Sequence, residues 1–127
     1  MDLAYWCILI AGIMPVLTIV VAKWGRRDYD NAAPRAWLEA QQGYRRRADY
    51  AHRNHFEAFP FFAAAVLVAE QMQGNPLYID GLAAGFVVAR IVYTVLYLTD
   101  KATLRSLAWF AGYACVLALF GVAAYAA

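Results

Sequence analysis

Two cysteines are all this chain has, and both, Cys7 and Cys115, sit inside apolar runs, where a free thiol behaves as a small hydrophobic group. Neither a disulfide framework nor a cysteine-held metal is expected. Histidine is equally sparse. His52 and His55 lie three apart, one short of the i, i+4 pair of zinc-protease helices, and no third ligand is evident, so no metal site is expected. There is no glycine-rich phosphate loop, and Ser106 and Thr103 have no base at a spacing that suggests nucleophilic catalysis. Internal repeats and low-complexity tracts are absent too.

Charge is also in short supply, at 16% of residues, whereas 64% are hydrophobic. That balance exceeds an ordinary soluble domain and points to lipid. Residues 3–22, "LAYWCILIAGIMPVLTIVVA", and 106–127, "SLAWFAGYACVLALFGVAAYAA", are uncharged and long enough to cross a bilayer core of about 30 Å. The first lacks a basic leader and a small-residue cleavage site and ends in "KWGRR", which predicts a retained spanning helix rather than a signal peptide. Residues 76–98 can also span, with Asp80 near one end and Arg90 well inside. Residues 58–69, "AFPFFAAAVLVA", are too short alone and reach spanning length only if the helix runs back through Asn54 toward Arg47. The expectation is a single domain over 1–127 with helices at about 3–24, 47–72, 76–99 and 103–126.

The basic residues orient these helices. Ten of the 11 fall in or beside the link between the first two helices and the link between the last two, whereas "EQMQGNP" has none. The positive-inside rule then puts both termini on the non-cytoplasmic side, in the inner membrane if the cell is bacterial. The net charge of +2 is thereby a topology signal, and no separate basic face is left for nucleic acid. In the polar loop, Pro34 suits the first turn of a short surface helix and Gly43 its end. The loop's arginines can reach anionic lipid headgroups.

Polar groups at membrane depth are costly and usually face the bundle interior. Tyr50, Asn54, Glu57 and Phe61 recur at helical spacing, with Arg47 about a turn before them. Arg90, Tyr93 and Tyr97 form a second stripe. Two structural alternatives stay open: Arg90 and Glu57 neutralise each other, or Arg53 pairs with Glu57 at i, i+4.

"AHRNHFEAFPFFAAAVLVA", then "ARIVYTVLYL" and "LRS", resemble the membrane-associated proteins in eicosanoid and glutathione metabolism (MAPEG), which include microsomal glutathione transferases, leukotriene C4 synthase and prostaglandin E synthase. The specific parts are N-x-x-E-x-F-P from Asn54 to Pro60 and R-x-x-Y-x-x-x-Y from Arg90 to Tyr97. The resemblance implies an all-α, left-handed antiparallel four-helix membrane bundle, assembled as a homotrimer with glutathione as thiol co-substrate at the subunit interfaces. It implies that Asn54 and Glu57 contact the peptide, Glu57 taking its ammonium, and that Arg90, Tyr93 and Tyr97 line the same site. Arg105 matches the arginine assigned to the thiolate, and His52 and Arg53 match "AHRN" of the prostaglandin synthase branch. Tyr50 stands where the eukaryotic enzymes have an arginine, and Ala58 where leukotriene C4 synthase has a tyrosine. Arg47, two turns before Asn54, is the candidate for the missing guanidinium.

The implied activity is a glutathione transferase or peroxidase acting on hydrophobic electrophiles or lipid hydroperoxides. A non-catalytic lipid-binding or scaffold protein of the same fold is the alternative, and a small transporter subunit fits the length.

Overall fold

A computed structural model describes every residue from Met1 to Ala127. It is all helical: α1 (Leu3–Lys23), α2 (Pro34–Glu39), α3 (Gly43–Gln71), α4 (Pro76–Leu98) and α5 (Ala102–Ala126). Three of these, α1, α4 and α5, are long and apolar enough to cross a membrane. Helix α3 is the longest, at 29 residues, but its first half is too polar to join that group on composition. It begins at Gly43, earlier than the expected residue 47. Gly43 was expected to close the short helix; instead α2 stops at Glu39 and Gly43, at φ +60°, opens α3.

The helix ends follow local chemistry. Asn75 caps α4 by accepting from the Leu77 N–H at 3.0 Å, and Pro76 takes the first helical position, where no N–H is needed. The Ala4 N–H, orphaned at the start of α1, is taken by Asp80 Oδ1 of α4 at 2.9 Å, which explains a carboxylate inside an apolar run. Between α3 and α4, Gln73 turns left-handed at φ 58° and the Gly74 N–H returns to the Ala69 carbonyl. Glycine is required there, since a Cβ would lie 2.7 Å from Val122 Cγ1 of α5.

The core contains many small side chains. Ala4, Cys7 and Ala11 of α1 and Ala65 and Ala69 of α3 are buried, so the two backbones pack closely. Phe62 of α3 stacks on Phe86 of α4 with ring centroids 3.9 Å apart, near the middle of α4 and in the apolar second half of α3. A smaller cluster of Ala22, Trp37, Leu38 and Ala48 fastens α2 to the ends of α1 and α3. Only 29 of 127 residues are buried, and the outer faces carry Leu9, Ile13, Val16, Leu17, Val88, Ile91, Val92, Leu107 and Phe110. Those faces are apolar toward the outside, as a lipid-immersed helix requires.

Candidate functional site

Helix periodicity brings the polar half of α3 against the middle of α4. Arg90 is 3% exposed, yet no carboxylate lies within ion-pair distance of it. One terminal nitrogen, Nη1, donates to Asn54 Oδ1 at 2.8 Å; the other, Nη2, donates to His55 Nδ1 at 2.8 Å. The guanidinium carbon lies 4.2 Å from the centroid of the Tyr93 ring. All three contacts are with neutral groups, so the charge is held in place without being cancelled.

Glu57 lies exposed on the same stretch of α3. Its hydrogen-bond partner is the Asn54 amide, whose Nδ2 donates to Glu57 Oε2 at 3.3 Å. Asn54 therefore stands between the carboxylate and the guanidinium, carbonyl toward Arg90 and amino group toward Glu57. The direct Arg90–Glu57 pair that the sequence left open is not formed, and neither is the Arg53–Glu57 pair. Arg53 instead reaches back one turn to the buried Asp49 at 2.9 Å.

Asn54, Glu57 and Arg90 line a cavity of about 130 Å³ whose other walls include Phe61, Phe86, Trp109 and Tyr113. Tyr93, Tyr97 and Arg105 line a second, of about 210 Å³, with Ser106, Trp109 and Phe110. Trp109 is common to both cavities and stacks on Tyr113 with centroids 5.1 Å apart. Within one chain the expected residues thus fall into two neighbouring compartments. Arg105 sits over the Tyr97 ring at 4.4 Å, facing the second.

The remaining candidates are engaged elsewhere. Arg47 donates twice to the Leu98 carbonyl, at 3.3 and 3.1 Å, capping the C-terminal end of α4, and lines neither cavity. Tyr50 accepts from Arg46 Nε at 2.7 Å. His52 Nδ1 is 2.8 Å from the Pro15 carbonyl of α1; a carbonyl only accepts, so Nδ1 carries the proton there. Sequence spacing missed Thr94 and Trp109, although each lies one turn beyond a singled-out arginine, Arg90 and Arg105, and i, i+4 spacing was the available signal.

Apolar helices with lipid-facing outer surfaces, enclosing a polar, charge-bearing cleft, define an integral membrane protein of all-helical build. The profile of the MAPEG family matches residues 3–125, and the chain belongs to that family. No curated protein and no solved structure gives a significant match to it individually.

Proposed function

We propose that this protein is a membrane-bound glutathione transferase or peroxidase, working as a homotrimer of four-helix subunits in which α3 supplies the fourth span. The observation that carries the proposal is the separation of Glu57 from Arg90 by the Asn54 amide. A carboxylate and a guanidinium held apart on the walls of one cavity complement an amino-acid zwitterion: Glu57 receives the ammonium and Arg90 the carboxylate. The γ-glutamyl end of glutathione is such a group. Glu57 is an exposed carboxylate on a membrane helix without a cation in contact, which is unfavourable until a ligand or a neighbouring subunit covers it.

The thiol end then extends past Trp109 toward Arg105. A thiol with a pKa of about 8.5 is mostly protonated at neutral pH, and a cation beside it favours the thiolate by about 1.4 kcal/mol for each pKa unit. Arg105 has that role here. In the transferase reaction the sulfur attacks an electrophilic carbon; a C–S bond forms, the carbon–halogen bond breaks with its electron pair on the halide, and the thiol proton goes to solvent. With a lipid hydroperoxide, two glutathiones supply two electrons to the O–O bond, giving an alcohol, water and glutathione disulfide. The electrophile arrives from the bilayer, so no aqueous entry path is needed.

The division of the expected residues between two cavities that share only Trp109 favours one alternative, a non-catalytic lipid-binding or scaffold member of the same fold. The two readings are told apart by assaying purified protein for conjugation of glutathione to a generic aryl halide. The enzyme reading expects turnover that Arg105→Ala lowers about tenfold or more in kcat, with glutathione binding changed less. Neither turnover nor glutathione binding would leave only the scaffold.

A further inference from the structure

Behind the charge of Arg90 lies a closed ring of hydrogen bonds that the family motif does not include. Arg90 Nη2 is always a donor, so His55 Nδ1, 2.8 Å away, must be the bare, accepting nitrogen. In neutral imidazole the proton is then on Nε2, which points at Thr94 Oγ1, 3.0 Å away. The threonine hydroxyl, having accepted there, donates its own hydrogen to the Arg90 carbonyl at 2.8 Å. Every donor in the ring meets an acceptor, and only one tautomer of His55 allows it. His55 is 3% exposed, and with Asn54 on the other terminal nitrogen it fixes the guanidinium in rotation about its long side chain.

The Arg90 Nε–H and one hydrogen on each terminal nitrogen make no hydrogen bond within the chain. Because His55 is a neutral acceptor, the clamp orients the cation without neutralising it. We infer that His55 and Thr94 are positioning residues, which aim Arg90 into the cavity beside Asn54 and Glu57 and leave its charge free for a ligand carboxylate. This rests on the proposal that Arg90 receives a carboxylate of glutathione. Neither residue touches that ligand; both act through Arg90.

The test compares glutathione binding by isothermal titration calorimetry to the detergent-solubilised wild-type protein, His55→Leu, His55→Gln and Thr94→Val, with the melting temperature of each recorded. Leucine fills the space but cannot accept from Arg90, and the expected dissociation constant rises about tenfold or more, the scale of losing one hydrogen bond to a charged group. Glutamine can offer its carbonyl to Arg90 and its amide to Thr94, so binding returns to within about threefold of wild type. Thr94→Val removes only the outer member, folds most readily, and weakens binding about threefold. A purely space-filling role predicts equal binding by the leucine and glutamine variants, and that result overturns the inference. Wild-type binding that both His55→Leu and Thr94→Val leave unchanged overturns it alone, whereas no binding by the wild type overturns the glutathione proposal and this inference together.

Discussion

Asn54 is the residue on which the site turns. Its amide can accept from a cation and donate to an anion at once, and it does both, keeping Arg90 and Glu57 from collapsing onto each other. Asn54→Asp preserves the shape and the bond to Arg90 but supplies the negative charge that Arg90 lacks. The expected result is a glutathione dissociation constant raised about tenfold or more while the melting temperature holds, read by calorimetry and thermal unfolding on the same sample. If affinity were unchanged, the charge of Arg90 would have no part in binding. Helical period placed Tyr50, Asn54, Glu57 and Phe61 on one stripe of the sequence; the last three line one cavity, and Tyr50 bonds Arg46 outside it. It could not say that Arg47 and Arg53 would turn away, because each is drawn to a partner of its own: a helix-end carbonyl in one case, a buried aspartate one turn back in the other. The His55 imidazole was hidden for a related reason, since its partners lie across a helix interface whose rotation spacing does not set.

Among the elements, α3 carries the compromise. Its polar half cannot be recognised as a span by hydropathy, and its register against α4 depends on Phe62 stacking on Phe86 and on the tight turn that follows Gln71. Gly74→Ala tests that turn. The added Cβ meets Val122 Cγ1 at 2.7 Å with the Ala69 carbonyl at 3.1 Å behind it, so something must move, at a cost of about 1–3 kcal/mol in thermal or denaturant unfolding. Val122→Ala in the same chain is expected to recover much of the loss, because Val122 Cγ1 is the one atom closer than 3.0 Å, with the Ala69 carbonyl and Ile79 Cδ1 at 3.1 and 3.2 Å. Additive losses in the double variant would show that the backbone, not Val122, sets the limit. The four long helices were legible from apolar runs and their flanking charges, whereas the start of α3 was not. Gly43 reads equally well as the end of one helix or the opening of the next, and only the packing of Ala48 against Ala22, Trp37 and Leu38 decides between them.

For the whole molecule, the charge asymmetry predicts a sidedness, and the apolar exterior is compatible with the proposed assembly. The loop between α1 and α3 and the helix ends beside it, from Lys23 to Arg53, hold eight of the 11 basic residues, and the turn at Gln73–Asn75 holds none, so the two are expected on opposite sides of the membrane with the first cytoplasmic. Single cysteines at Asn31 and Gln73, introduced with Cys7 and Cys115 replaced by alanine, report this in intact cells. A membrane-impermeant thiol reagent is expected to label the Gln73 position and spare Asn31; the reverse pattern would invert the topology. The proposed trimer would supply what one subunit lacks, a cover for the exposed Glu57 and for the apolar flanks beside it. The measurement that bears most directly on the central claim is equilibrium binding of glutathione to wild type and Glu57→Gln, with native mass spectrometry on both. Glutamine can keep the bond from Asn54, so the account predicts an intact trimer in each and binding weakened about tenfold or more in the variant. Equal binding by the two proteins, or loss of the trimer in the variant with glutathione affinity retained, would contradict it.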